Sequence, residues 1–271
     1  MDKRPIGVFD SGMGGLTAVR QMTRCLPHED IIYFGDTGRV PYGSRSAETI
    51  IKYARQDVAF LRQFDLKAIV IACGTVSATA LSLLRAENPL PIFGVVEPAC
   101  EAAANATHSG RVGIIGTTAT IRSNVYETAI RKRLPGAMLL SRACPLFVPL
   151  VENGRVLPGD PVTTPLIEEY LSPFRTAKVD TMVLGCTHYP LLETLIGQYM
   201  GPEVRLIDTG RECALALKAH LEKADALNPT QGEGTRHYYA SDSAEDFASL
   251  ASIFLGADIS GRVDRVEIDR F

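Results

Sequence analysis

Short apolar runs alternate along the chain with longer stretches in which apolar side chains recur every three or four residues. The runs are PIGVFD, DIIYFGD, KAIVIA, PIFGVV, RVGIIG, VDTMVLG and VRLID. Their nearly continuous apolar character is typical of parallel strands that are buried on both faces. Between them, Ile50, Ala54, Val58 and Leu61 follow one face of a helix within residues 47–64. Similar spacing predicts helices near 76–87, 120–133, 162–175, 190–200 and 211–224. The alternation predicts an α/β fold with mainly parallel sheets.

The pattern also repeats once in outline. GVFDS at 7–11 is similar to GIIGT at 113–117, and KAIVIACGT at 67–75 is similar to DTMVLGCTH at 180–188. In each half, a strand with a small polar end precedes a strand that ends in cysteine, as expected when one unit is duplicated. We therefore predict two similar α/β lobes that face each other, with their strand ends pointing into the cleft between them.

The repeat also predicts where the lobes divide. The first lobe comprises residues 1–97 plus 210–271, and the second comprises residues 98–209. EPACEAAANATHSG, near 97–110, suits a segment that crosses between lobes. LIDTG at 206–210 reads as a strand that begins the return to the first lobe.

Composition and charge exclude several classes of protein. Hydrophobic residues make up 46% of the chain, charged residues 22%, and the net charge is −3. No basic domain is available for nucleic acid, and no apolar stretch approaches the roughly 20 residues of a membrane span. The N-terminus MDKRPIGVFDSG does not resemble a signal peptide. We expect a cytoplasmic protein that binds neither nucleic acid nor membrane, and a homodimer is compatible with its apolar content.

The cysteines are scattered rather than paired. They are Cys25, Cys73, Cys100, Cys144, Cys186 and Cys213. In a cytosolic chain we expect thiols rather than disulfides. Structural zinc sites usually pair their ligands at short spacing, so we expect no metal.

Three loops carry residues suited to binding an anion. FDSGMGGLTAV (9–19) places Asp10 and Ser11 at the carboxyl end of a strand, where α/β folds bind ligands, although an ordinary strand–helix turn has the same composition. DTGRVPYGSRS (36–46) predicts an aromatic side chain and bare backbone at a surface rim, or a plain connection. The hydroxyls of GTTATIRSNVY (116–126) can donate to a carboxylate or cap a helix.

Two cysteines occupy equivalent strand ends. Cys73 precedes Thr75 at the start of a predicted helix, and Cys186 precedes Thr187 and His188. Either cysteine alone is typical of a buried, inert side chain. A helix N-terminus lowers a thiol pKa from about 8.5 toward neutrality, so we expect activated thiols at both positions.

Two thiols on opposite sides of a cleft suit inversion of a stereocentre. One thiolate removes the α-proton from one face, and the opposite thiol returns a proton to the other face. Hydroxyl and backbone donors stabilise the charge that develops on the substrate carboxylate. Asp10 and His188 lie where they can set the protonation states of the thiols.

Four motifs together closely resemble the glutamate racemases, the cofactor-independent enzymes that supply D-glutamate for bacterial peptidoglycan. They are FDSGMGGLTAV, YFGDTGRVPYGSRS, GTTATIRS and GCTHYPLL, and the resemblance spans roughly residues 6–210. It implies the two-lobed aspartate/glutamate racemase fold, with the active site in the cleft between the lobes. It also implies glutamate as the small-molecule substrate, with no cofactor.

The resemblance also implies roles for individual residues. Cys73 and Cys186 match the paired acid/base thiols, Asp10 and His188 match assisting residues, and Glu152 matches a further acidic neighbour. The substrate-contacting positions are Asp10, Ser11, Pro41, Tyr42, Gly43, Thr75, Thr117, Thr120, Thr187 and His188, together with Gly74.

Gly74 departs from the family pattern. The family usually has Cys-Asn-Thr where this chain has Cys73-Gly74-Thr75. The amide side chain is missing, and losing one hydrogen bond to a charged group weakens binding by roughly 1.5–3 kcal/mol.

Three alternatives to glutamate racemisation stay open. One is a racemase for aspartate or another amino acid. The second is a hydrolase that uses Cys186 with His188, which leaves Cys73 unexplained. The third is an amino-acid-binding protein that Gly74 has weakened as a catalyst.

Overall fold

Ten parallel strands form two sheets in the computed structural model, which describes residues 1–271. The strands are Ile6–Asp10 (β1), Ile31–Gly35 (β2), Ala68–Ile71 (β3), Ile92–Gly94 (β4), Arg111–Gly116 (β5), Met138–Ala143 (β6), Thr181–Gly185 (β7), Arg205–Asp208 (β8), Arg236–Ala240 (β9) and Val263–Arg265 (β10). The fold is α/β, as predicted.

Twelve α-helices connect and cover the strands. They are Leu16–Cys25 (α1), Ala47–Leu61 (α2), Gly74–Thr79 (α3), Leu81–Glu87 (α4), Val96–Ala106 (α5), Thr118–Arg122 (α6), Val125–Arg133 (α7), Phe147–Glu152 (α8), Thr163–Thr176 (α9), Glu193–Met200 (α10), Thr209–Lys223 (α11) and Ala244–Leu255 (α12). No helix is both long enough and apolar enough to cross a membrane.

The two sheets share one strand order. The first runs β10-β9-β2-β1-β3-β4 and the second runs β6-β5-β7-β8. The order β2-β1-β3-β4 therefore matches β6-β5-β7-β8, as the repeated sequence pattern predicts. In each sheet the cysteine-tipped strand, β3 or β7, lies beside the central strand, β1 or β5. Because the strands are parallel, the ends that carry Asp10, Cys73, Thr117 and Cys186 lie at carboxyl edges.

Sheet membership follows two separate parts of the chain. The first sheet takes its strands from residues 6–94 and 236–265, and the second takes its strands from residues 111–208. The strand in LIDTG was wrongly predicted to begin the return, because β8 pairs with β7 in the second sheet. The return to the first sheet comes at β9, which pairs with β2. The division into residues 1–97 plus 210–271 and residues 98–209 stays a prediction.

Several helices differ from their predicted bounds. The predicted helix over 76–87 is two helices, α3 and α4, that meet at the buried Ala80. The predicted helix over 120–133 is also divided, because Asn124 adopts a left-handed conformation with φ 53°. Most of the segment predicted to cross between lobes is helix α5, whose Ala99, Cys100 and Ala103 pack in the core of the second sheet. Residues 189–192 form a 3-10 turn before α10.

A buried ion pair fixes the base of the first lobe, away from the cleft. Lys67 Nζ lies 2.5 Å from Glu29 Oε2, and both side chains are almost fully buried. The ammonium group also donates to the carbonyl oxygens of Asp2 (2.8 Å) and Ala226 (2.9 Å). The amide of Asn228 donates to Glu29 Oε1 at 2.8 Å. The pair thus ties the chain terminus and the returning segment to the start of β3.

Candidate active site

A cavity of about 920 Å³ opens between the carboxyl edges of the two sheets. Both lobes contribute to its wall. Every residue that the sequence analysis assigned to the site lines it: Asp10, Ser11, Pro41, Tyr42, Gly43, Cys73, Gly74, Thr75, Thr117, Thr120, Glu152, Cys186, Thr187 and His188. The cavity therefore brings together residues from six separate segments of the chain.

The backbone places one thiol in each wall. β3 ends at Ile71, and Cys73 adopts an extended conformation as the N-cap of α3. β7 ends at Gly185, and Cys186 follows directly. Both cysteines are buried, at 5% and 6% exposure. Each sulfur thus lies at the cavity surface with little access to bulk water.

The surroundings of Cys73 keep its thiol protonated. Burial and the nearby Asp10 carboxylate raise the pKa of Cys73 to about 12. The sulfur donates to Ser11 Oγ at 3.3 Å. The predicted lowering of this pKa by the helix N-terminus is therefore wrong, because burial and a neighbouring negative charge outweigh the dipole of the short helix α3.

Asp10 is a buried carboxylate with a free oxygen. Its exposure is 1%, and burial raises its pKa, although His188 and the amides of Gly15, Gly12 and Ser11 oppose this effect. The Gly12 N–H donates to Oδ2 at 3.1 Å. The other oxygen, Oδ1, has no hydrogen-bond partner in the protein. A buried acceptor of this kind is suited to a cationic ligand group.

Cys186 belongs to a hydrogen-bonded series. Its sulfur lies 3.8 Å from His188 Nδ1, and His188 Nε2 lies 3.0 Å from Glu152 Oε1. Burial lowers the pKa of His188, but hydrogen bonds with Cys186 and Glu152 outweigh it and raise the pKa to about 10. His188 is therefore an imidazolium at neutral pH. Its positive charge stabilises negative charge on the Cys186 sulfur.

Hydroxyl groups join the lobes around the cavity. Thr75 Oγ1 lies 3.2 Å from Thr117 Oγ1, and Thr117 Oγ1 lies 3.0 Å from Thr120 Oγ1. On the opposite side, Thr17 Oγ1 donates to the carbonyl oxygen of Thr187 at 2.8 Å. This last contact was absent from the sequence analysis, because a threonine in the first turn of α1 carries no signal of pairing with the other lobe.

The loop over 36–46 differs from its prediction. Tyr42 is buried at 1% exposure rather than placed at a surface rim. Its hydroxyl donates to Asp36 Oδ2 and lies 3.3 Å from Asp57 Oδ2. Tyr42 therefore lines the cavity while its hydroxyl contacts two carboxyl groups.

Arg39 forms a buried cluster with Asp36, Tyr42 and Asp57. Its Nε lies 2.6 Å from Asp36 Oδ2, and its Nη2 lies 3.0 Å from Asp57 Oδ1. Burial and the nearby Asp36 raise the pKa of Asp57 well above its usual value. Ser241 Oγ, just after β9, donates to Asp36 Oδ1 at 2.7 Å. The sequence analysis missed this cluster, although Asp57 on the apolar face of α2 is a signal.

The chain offers little to a metal ion. No group of three or more His, Cys, Asp and Glu side chains is placed to hold one. All six cysteines are free thiols.

Comparison with known proteins identifies the family. The model of the Asp/Glu/Hydantoin racemase family matches residues 6–217. The chain belongs to this family. A glutamate racemase from Geobacter metallireducens is 45% identical over 269 residues, covering 99% of this chain and 98% of that protein. A glutamate racemase from Streptococcus gordonii is 45% identical over 261 residues, covering 96% of this chain and 98% of that protein.

Solved structures share the fold. A glutamate racemase isoform from Bacillus anthracis superimposes with a TM-score of 0.93 at 38% identity, covering 98% of each chain. The glutamate racemase of Francisella tularensis, in complex with D-glutamate, superimposes with a TM-score of 0.90 at 37% identity, covering 100% of each chain. The predicted two-lobed aspartate/glutamate racemase fold is confirmed.

Proposed function

We propose that this protein is a glutamate racemase that interconverts L- and D-glutamate with two thiols and no cofactor. The observation that carries the proposal is the pair of buried thiols, Cys73 and Cys186, which face one cavity from opposite lobes. Relatives named glutamate racemases at 45% identity over nearly the whole chain support glutamate as substrate. An aspartate racemase from Picrophilus torridus is only 16% identical, and that likeness concerns the fold alone.

The resting charges assign different starting roles to the thiols. Cys73 starts as a thiol because its pKa is about 12. We assign the thiolate to Cys186, because the His188 imidazolium lies beside its sulfur. Glu152 holds the imidazolium in place through Nε2. The fixed charges of the protein thus select one of the two possible protonation states.

Proton transfer then proceeds across the cavity. The Cys186 thiolate takes the α-proton, the C–H bond breaks, and its electron pair delocalises into the α-carboxylate. The S–H bond of Cys73 breaks as its proton bonds to the opposite face of the α-carbon. The products are the other enantiomer, a Cys186 thiol and a Cys73 thiolate. This form catalyses the reverse reaction, and proton exchange with solvent restores the first form.

The remaining site residues bind and orient the substrate. Asp10 Oδ1 is free to accept from the α-ammonium group. Ser11, Thr75, Thr117, Thr120 and Thr187 supply hydroxyl and backbone donors for the two carboxylates. Donors near the α-carboxylate stabilise the charge that develops when the α-proton leaves.

We place this activity in the cytoplasm, where it supplies D-glutamate for peptidoglycan. The six free cysteines support a reducing compartment. A homodimer and the lack of a cofactor stay predictions.

The test is racemisation of each glutamate enantiomer in D2O. We expect inversion, with deuterium incorporated at Cα. Cys73→Ser and Cys186→Ser each lower kcat by roughly 10²–10⁴-fold, the usual contribution of a positioned acid or base. Cys25→Ser is the matched control, because Cys25 lies outside the cavity and we expect full activity. Absence of both exchange and inversion in the parent protein contradicts the proposal. Faster turnover of aspartate than of glutamate contradicts the substrate assignment.

The series Cys186–His188–Glu152 favours a second candidate, a cysteine hydrolase, because nucleophilic triads have this order of groups. An acyl-enzyme trapped on Cys186, in a protein that shows no α-hydrogen exchange, is the result that selects it.

A further inference from the structure

Two glycines meet across the cleft, and each is bonded to a thiol-bearing residue. Gly74 follows Cys73 at the start of α3, and Gly185 precedes Cys186 at the end of β7. A Cβ atom on Gly74 would lie 2.8 Å from the carbonyl oxygen of Gly185. That distance is below any ordinary carbon–oxygen contact, so the two lobes touch here because residue 74 has no side chain.

Gly185 lies in a tightly packed part of the second lobe. It ends a strand that is hydrogen-bonded inside the second sheet, paired in register with Gly116. A Cβ atom on Gly185 would lie 2.6 Å from the carbonyl oxygen of Ile115 and 3.2 Å from the ring of Tyr126. Tyr126 is itself buried at 2% exposure. A side chain at residue 74 must therefore displace the start of α3, which carries Cys73, away from β7.

We propose that Gly74 is a positioning residue that sets the spacing between Cys73 and Cys186 by letting its backbone rest against the carbonyl group of Gly185. The inference rests on the proposed racemase function and concerns the same site. Ordinary van der Waals contact begins at about 3.4 Å, so a Cβ atom at residue 74 separates the two walls by about 0.6 Å. Misplacement of a reacting group by 1 Å costs about 10²-fold in rate, so we expect a loss of about tenfold.

The close contact at Gly74 also decides the effect of restoring the family's asparagine. An asparagine at residue 74 restores the amide that the family pattern contains, but its Cβ atom meets the same carbonyl oxygen. In this chain, the loss of rate from a wider spacing between Cys73 and Cys186 outweighs the gain from the added hydrogen bond. We expect Gly74→Asn to be slower than the parent protein, not faster.

The experiment compares Gly74→Ala and Gly74→Asn with the parent protein. Gly197→Ala is the matched control, because Gly197 lies in helix α10 and its added Cβ has only an ordinary contact, 3.8 Å from Leu206. For each variant, kcat and KM are measured with both enantiomers. In D2O, deuterium in the recovered starting enantiomer is measured against inversion. A carbanion out of reach of the second thiol is reprotonated on the face it came from, and it gains deuterium when the first thiol has exchanged its proton with D2O.

We expect Gly74→Ala to lower kcat about tenfold with KM changed less than threefold, and to raise the exchange-to-inversion ratio about tenfold. Gly197→Ala leaves all three quantities at parent values. A parent-like kcat and ratio in Gly74→Ala overturn the inference while leaving the racemase function in place. A lower kcat with an unchanged ratio also overturns it, because general destabilisation slows both outcomes together. A parent protein that neither exchanges nor inverts overturns the proposed function itself.

Discussion

Replacement of Glu152 by glutamine isolates the role of one charge. The carboxylate accepts from His188 Nε2 at 3.0 Å, and an amide oxygen of the same shape can still accept from it. The substitution therefore keeps the geometry and removes the negative charge that favours the imidazolium. We expect the pKa of His188 to fall from about 10.

The size of the effect follows from the exposure of Glu152. A hydrogen bond to a charged group contributes about 1.5–3 kcal/mol. The Glu152 side chain is 40% exposed, so solvent screens the interaction and the low end of the range applies. About 1.4 kcal/mol corresponds to one pKa unit. We therefore expect His188 in the variant to titrate about one unit lower than in the parent protein.

The assay is kcat/KM for D-glutamate between pH 6.5 and 10.5, followed by circular dichroism. Loss of the imidazolium removes the positive charge beside Cys186, so activity falls as pH rises through the pKa of His188. The alkaline limb should lie about one unit lower in Glu152→Gln. The substrate titrates identically for both proteins, so the difference between their profiles reports the enzyme.

Stability must change with pH in the same sense. The pKa of His188 is raised from 6.5 to about 10 on folding, so its stabilisation is fully present below pH 6.5 and is lost as pH rises through 10. Glu152→Gln should therefore lower the unfolding temperature more at pH 7 than at pH 10.5. Glu168→Gln, an exposed glutamate on α9, is the control for loss of a carboxylate. Coincident alkaline limbs in the parent protein and Glu152→Gln refute the reasoning.

Four further substitutions test the contacts around the site and the base of the first lobe, each by urea unfolding. Thr17→Val leaves the carbonyl oxygen of the second lobe without its donor and should cost about 1–3 kcal/mol. Asp57→Asn should cost less than about 1 kcal/mol, because burial and the nearby Asp36 raise the pKa of Asp57 and favour the neutral form that an amide resembles. Arg39→Met leaves the buried Asp36 carboxylate without its ion-pair partner and should cost about 3–5 kcal/mol. Equal costs contradict this charge assignment. Lys67→Met leaves the buried Glu29 carboxylate without its ion-pair partner and should cost about 3–5 kcal/mol.

The sequence predicts the strands that carry a continuous apolar run and misses those that lack one. All seven predicted strands are present, from β1 to β8 except β6. β6 (MLLSRA) is only half buried, and its outer positions include serine and arginine. β9 and β10 likewise lack a continuous apolar run. A strand that is only partly buried needs fewer apolar side chains, so its pattern merges with that of a loop.

The sequence also predicts the part of the site that follows easily recognised strands. Asp10, Cys73 and Cys186 follow strands that are easily recognised, and parallel pairing brings those ends to one edge. Glu152 has no such signal, because it ends the short helix α8, and its place beside His188 depends on how α8 packs. The protonation state of Cys73 could not be predicted from the sequence either, because its pKa depends on burial that only the packed lobes create.

The two thiols stand in unlike surroundings although the lobes share one strand order. Cys73 has a serine and a carboxylate beside it, whereas Cys186 has an imidazolium. The enantiomers of an amino acid have equal free energies in water, so kcat/KM must be the same in both directions whatever surrounds each thiol. The asymmetry can therefore act only on how kcat and KM are divided in each direction. Selection or design at Ser11 or Glu152 can give the enzyme a high kcat and a high KM for one enantiomer and a low kcat and a low KM for the other. The final mixture still contains equal amounts of the two enantiomers.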